Sequence, residues 1–180
     1  MALATWWRND PLPELPALPQ FTANRTTDKA LVAQVAQLTE QEVTTRIQTG
    51  SEPYIAYLDQ TPVAYGWIAS QVGEVVEIML RFSLPPRQLY LWDFATLPEW
   101  RGNSIYPHLL QEIVRQHMDR IERFWILYAP GNAASESGIH KAGFQSVLDF
   151  SIENASFSGH PLVDDERAKI GADLLQIPLV

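Results

Sequence analysis

The chain has no cysteine. Disulfides, thiolate metal sites and a cysteine nucleophile are therefore excluded, and any thioester chemistry must bring its sulfur in on a cofactor. Long apolar runs are missing as well. No stretch reaches the ~18 residues of a membrane span, and the longest ones break at Pro, Gln or Asp. The opening residues, Met-Ala-Leu-Ala-Thr-Trp-Trp-Arg, lack the basic-then-apolar order of a secretory signal, so cytoplasmic residence is the default expectation. Positive charge is scarce: 13 Lys and Arg face 21 Asp and Glu, a formal net charge of -8. Nonspecific nucleic-acid binding needs the opposite balance, whereas ordinary solubility and a cationic substrate both suit this one. Several motifs are absent too: a Gly-x-Ser-x-Gly nucleophile elbow, a Gly-x-x-x-x-Gly-Lys phosphate loop and a Gly-x-Gly-x-x-Gly turn. The four histidines, His108, His117, His140 and His160, show no metal-ligand spacing, so no metal site is expected.

What is present suits one folded domain. The 180 residues are 46% hydrophobic and 19% charged. A chain of that length buries roughly 70% of the surface its unfolded form exposes. Pro11, Pro13, Pro16 and Pro19 mark residues 1–27 as an extended, Pro-rich N-terminal arm, which Trp6, Trp7 and Phe21 would pack onto the domain. Leu31, Val35 and Leu38 fall on one helical face. Thr39-Glu40-Gln41-Glu42 reads as a capping box that starts a second helix, ending near Gly50. The runs 54–58 and 63–68 flank a short turn and predict a β-hairpin. Further strands are expected across 74–82, 89–96, 124–129 and 145–152. Helices are expected from Pro107 to about Arg120, after the cap Asn132 up to the stop Gly143, and near 164–175 with Asp164 as cap. A domain over 28–152 and a C-terminal extension over 153–180 packed on it complete the organisation.

The most informative stretch runs from Asp93 to Tyr106: strand, polar loop Pro98-Glu99-Trp100-Arg101-Gly102-Asn103, then a helix. A helix start behind a Gly-containing loop presents unpaired N–H groups and the positive end of the helix dipole, which suits a phosphate. Arg101 adds a fixed cation. Taken alone, such a stretch is also an ordinary connection. Downstream, Asn132-Ala133-Ala134-Ser135 leads to Lys141-Ala142-Gly143-Phe144, which by itself reads as a helix cap and a helix stop.

Together, the two stretches resemble the acyl-CoA signature of the GNAT superfamily. Its pattern Arg/Gln-x-x-Gly-x-Gly/Ala is met at Arg101, with Ser104 and Tyr106 standing where small residues are expected. The resemblance covers roughly residues 28–152. It implies a mixed α/β (α+β) fold, a mostly antiparallel sheet flanked by helices, with the central strands 89–96 and 124–129 splayed. It also implies an N-acyltransferase that moves an acetyl or similar group from acetyl-CoA to a small-molecule or peptide amine by direct attack. No nucleic-acid or membrane partner is implied, and a homodimer is admitted. In this family the loop amides, here Arg101, Gly102, Asn103, Ser104, Ile105 and Tyr106, hold the cofactor pyrophosphate. The main chain of Phe94-Ala95-Thr96 pairs with the pantetheine arm and places an amide on the thioester oxygen. Asn132 and Ser135 lie along that arm. Asp93 and Glu77, each inside an apolar strand run, are the candidate bases. The tyrosine that many members carry in the last helix is replaced by Ile139, which leaves Tyr128 and His140 as substitutes. Branches that acetylate protein amino termini also lack it and share the Asn-x-x-Ser form. Trp6, Trp7 and Trp67 could line the acceptor pocket. These departures also admit a catalytically silent domain of the same fold, binding acyl-CoA as a sensor or scaffold.

Overall fold

The hydrophobic pattern of the strands sorts their side chains to two faces of one large sheet, and everything else packs on those faces. The computed structural model describes residues 1–153, 156–163 and 166–180. The strands are β1 (Ala2–Trp7), β2 (Phe21–Arg25), β3 (Ser51–Leu58), β4 (Thr61–Ala69), β5 (Val72–Val75), β6 (Leu80–Ser83), β7 (Gln88–Thr96), β8 (Arg123–Tyr128), β9 (Gln145–Glu153) and β10 (Ser156–Pro161). The helices are α1 (Lys29–Ala36), α2 (Glu40–Gln48), α3 (Ile105–His117), α4 (Ala133–Lys141) and α5 (Glu166–Leu175). Eight strands form the sheet in the order β10-β9-β1-β8-β7-β4-β3-β2. Every pairing is antiparallel except β7 with β8.

Along β3 and β7, Tyr54, Ala56, Leu89 and Leu91 face the core beneath α3 and α4, with Leu110, Ile113, Phe124 and Ile139. Ile55 and Trp67 face the opposite side, under α1 and α2. Tyr90 and Trp125 continue that side towards α5 and the β5–β6 hairpin. Local signals set the helices as the sequence indicates. Asp28 caps α1, and Thr39 with Glu42 forms the reciprocal capping box of α2. Asn132 accepts the Ser135 N–H at the head of α4. The cap expected at Asp164 lies outside the described residues.

Two expectations are corrected. Residues 1–27 are not an extended arm. Ala2–Trp7 forms β1, inserted between β8 and β9 in the interior of the sheet, and Phe21–Arg25 forms the edge strand β2. The prolines begin only at Pro11, so nothing bars Ala2–Trp7 from donating to two ladders at once. Residues 8–20 form an irregular connection between the two strands. Trp6 Nε1 donates to the Pro11 carbonyl (3.2 Å) and Gln111 Nε2 to that of Pro13 (2.8 Å), which ties the segment down. The expected strand over 74–82 is instead the hairpin β5–β6, joined by a 3₁₀ turn at Val76–Ile78 and outside the main sheet. Met79 takes φ 52° there, so the apolar run cannot stay extended.

At the C-terminal end, β10 pairs with β9, and α5 packs on β6, β9 and β10. No described helix is long and apolar enough to cross a membrane.

Because β1 buries Leu3, Ala4 and Trp6 and pairs on both edges, it is integral to folding. Each large apolar side chain buried contributes about 1.5–3 kcal/mol, against a total stability of about 5–15 kcal/mol. Deleting residues 1–8 is expected to abolish the cooperative thermal transition seen by circular dichroism. A truncated chain that melts cooperatively within a few degrees of the full one would contradict this.

Candidate acyl-donor cleft

The site begins with one irregularity in β7. Trp67 pairs with Trp92 and Tyr65 with Ala95, so Gly66 of β4 faces two residues, Asp93 and Phe94. This is a β-bulge, and Asp93 takes the left-handed φ of 50° that it requires. Gly66 is needed opposite it: a Cβ there would lie 2.1 Å from the Phe94 ring. Below the bulge β7 and β8 form a parallel ladder of four pairs, ending at Leu91 with Ile126. Beyond it β7 stays paired to β4 and β8 to β1, and their facing edges diverge. The open edges form the inner end of a cleft.

The outer end is the loop between β7 and α3. Gly102 and Ser104 both have positive φ, 83° and 57°. The backbone N–H groups of Gly102, Asn103, Ser104, Ile105 and Tyr106 donate to no group among the described residues. Five unengaged amides and the positive end of a 13-residue helix thus converge on one mouth. Ser104 adopts its left-handed conformation without a side-chain cap bond. A glycine would hold it without the ~1 kcal/mol that a Cβ costs there. Arg101 is exposed at the rim, its Nε donating to the Thr96 carbonyl at 3.2 Å, and Asn103 braces the loop through the carbonyls of Trp100 and Arg101.

The cleft measures about 510 Å³. Of the residues singled out in the sequence, Phe94, Ala95, Thr96, Arg101, Gly102, Ser104, Ile105, Tyr106, Asn132 and Ser135 line it. Tyr106 does not crowd the loop. Its ring crosses to α4 and lies against Gly138, where a Cβ would sit 2.4 Å away. Burial pushes its phenol up to about 12. Lys141 and Trp100 also line the cleft without having been assigned to it. Lys141 stood within the Lys-x-Gly-Phe stretch, the one signal that could have drawn it in.

The proposed acid–base residues fall elsewhere. Tyr128 and His140 both reach Ser146 Oγ, at 2.8 Å each, and so tie β8 and α4 to β9 without lining the cleft. Glu77 is exposed in the 3₁₀ turn of the β5–β6 hairpin, because the run holding it is a turn and not a buried strand. Ile139 is fully buried in the core. Asp93 adjoins the cleft but points to the α1–α2 face. There its carboxylate pairs with Arg46, whose guanidinium lies over the rings of Trp92 (4.7 Å) and Trp67 (5.1 Å). It is an ion-paired carboxylate. Tyr65, missed in the sequence, shares that face. Its phenol is held above the ordinary value by burial and by the charge of Asp93. Trp67 is wholly buried and Trp6 nearly so, while Trp7 sits among Arg123 and Arg167, so none of the three lines the cleft.

The family model described as acetyltransferase (GNAT) family matches residues 17–144. The chain belongs to the GNAT acetyltransferase family. Solved structures share its fold. A GNAT-family protein of Novosphingobium aromaticivorans aligns over 81% of this chain and 59% of its own, with a TM-score of 0.55 and 17% identity. The chain thus spans about three fifths of that protein's length. The ribosomal-protein-S18-alanine N-acetyltransferase of Escherichia coli aligns over 74% of this chain and 83% of its own (TM-score 0.56, 13% identity). A Clostridium acetobutylicum protein solved with acetyl-CoA aligns over 74% and 96% (TM-score 0.50, 15% identity). No curated protein sequence matches the chain.

The Arg46 contact generates a stability prediction. The pair is only 24% and 34% exposed. Arg46→Ala would leave Asp93 unpaired and remove two cation–π contacts, at a cost of about 2 kcal/mol or more. Urea titration measures it. An unchanged midpoint would mean that the contact is a solvated surface pair.

Proposed function

We propose that the protein is an acetyl-CoA-dependent N-acetyltransferase acting on a small-molecule or peptide amine. The observation that carries this reading is the set of five unengaged amides at the head of α3, next to the open edges of β7 and β8. A diphosphate fits the former, and a slender chain of amide groups fits the latter. The tests of fit are the amides themselves and the flanking cations Arg101 and Lys141. Acetyl-CoA, when bound, supplies an activated acyl thioester.

The residues then have separable roles. The loop amides from Gly102 to Tyr106 hold the pyrophosphate, with Arg101 as counter-charge. Phe94-Ala95-Thr96, along the free edge of β7, would pair with the pantetheine arm and offer an amide to the thioester oxygen, worth ~3 kcal/mol per donor. Asn132 and Ser135 border the same arm. The amine arrives on the α1–α2 face, beside Asp93 and Tyr65. Attack requires a neutral amine, and Asp93 receives its proton through water. Tyr106, the one phenol lining the cleft among the described residues, would give its proton to the departing sulfur as the amine displaces it. Burial keeps that phenol protonated through neutral and mildly alkaline pH. Tyr128 and His140 act on the position of α4.

Acetyl-CoA at ~100 times its dissociation constant is expected to stabilise the protein by ~2.7 kcal/mol, read as a rise in melting temperature. Arg101→Ala should weaken binding about tenfold or more while melting like the wild type without ligand. No shift at millimolar acetyl-CoA would overturn the reading. Thiol release with an amine panel separates an enzyme from a binding-only sensor, which shows the shift but no turnover. In that assay Tyr106→Phe should lower kcat by more than about tenfold, and Tyr128→Phe and His140→Ala by less. The reverse order would move the acid to the Tyr128–Ser146–His140 cluster.

A further inference from the structure

We infer that a second cavity, at the far end of α3 from the acyl-donor cleft, binds a small organic anion with a carboxylate or phosphate head and a short apolar body. The cavity measures about 310 Å³ and shares no lining residue with the first. Arg25, at the end of β2, Arg120, after α3, and His117, the last residue of α3, converge on it, with Glu52 as the one carboxylate among the described residues that line it. Ile68, Leu89 and Ile121 supply an apolar wall. Three cationic or protonatable side chains thus share one pocket in a chain of net charge -8.

The donors there are not spent on the fold. Glu52 takes a single contact from Arg25 Nη1, at 3.2 Å. The Arg120 side chain has no partner among the described residues. It is not needed to cap α3 either, because the amides of Arg120 and Ile121 already bond the His117 carbonyl, both at 2.9 Å. His117 is held through Nε2 by the Tyr54 hydroxyl at 2.7 Å, and its Nδ1 has no partner among the described residues. A carboxylate or phosphate between Arg120, Arg25 and His117 Nδ1 would satisfy all three, leaving its apolar part against Ile68 and Leu89.

Such a site has a pH signature. Burial lowers the His117 pKa, the neighbouring Arg120 and Arg25 lower it further, and Glu52 opposes them. Tyr54, on β3, stays protonated because burial pushes it up to about 12, and Glu112 and Gln116 complete the groups facing this cluster. The imidazole is therefore neutral near neutral pH, and an anion favours its protonated form. Affinity for a carboxylate should rise as pH falls below about 7, with proton uptake on binding.

The test is an amide NMR titration of the full chain with sodium butyrate, acetate and inorganic phosphate. The expected result is shifts at Gly50, Ser70 and Ile121. Butyrate tighter than acetate identifies a carboxylate ligand that uses the apolar wall, and phosphate tighter than butyrate identifies a phosphate-headed one. Arg120→Ala, an exposed position, should melt like the wild type and bind about tenfold more weakly. His117→Gln should remove the pH dependence. Equal affinity in Arg120→Ala, or shifts confined to the Gly102–Tyr106 loop, would overturn the proposal.

Discussion

The parallel contact between β7 and β8 ends after four residue pairs, and the functional anatomy of the molecule depends on that ending. The extra residue at Asp93 bends β7 away from its neighbour while keeping it bonded to β4. Open edges inside a sheet are costly unless something pairs with them. The bulge also turns consecutive side chains to one side. Trp92 and Asp93 both serve the α1–α2 face, and Phe94 returns to the α3 face, over Gly66. One inserted residue therefore creates the cleft floor and the acceptor-side wall together.

Arg46 holds the back of that construction. A carboxylate fixed in a left-handed bulge would be poorly placed without a partner, and a guanidinium lying over two tryptophans is pre-organised to supply one. The other end of the cleft is fixed differently, by backbone alone. Gly102 and Ser104 turn the chain so that successive N–H groups point outward before α3 begins. Serine at the second of these positions is tolerated because the loop is braced by Asn103 and anchored by Arg101 on Thr96.

Much of this was legible in the sequence where local chemistry decides. The Thr39–Glu42 capping box, the Asn132 cap and the 54–68 hairpin are short-range signals, and the structure has them where they were read. The two loops flanking the cleft were found because glycine, arginine and asparagine have few other reasons to stand at those spacings. What failed were features set by distant partners. Ala2–Trp7 is a strand because β8 and β9 offer two free edges more than a hundred residues away. Glu77 looked buried because apolar neighbours surround it in sequence, yet the run folds as a turn. Tyr128 and His140 were named for their chemistry, and only the position of Ser146 reveals that they serve β9. Conversely Tyr106, standing where a small residue is expected, finds its place because Gly138 leaves room on another helix.

The central claim is that the α3 head and the β7–β8 opening together hold one extended donor molecule. A crystal structure of the chain grown with coenzyme A tests it most directly. The expected result places pyrophosphate oxygens within about 2.7–3.2 Å of the amide nitrogens between Gly102 and Tyr106, with the pantetheine arm bonded to the edge of β7 at Ala95 or Thr96. Coenzyme A bound elsewhere, or bound with that loop untouched, would contradict the account.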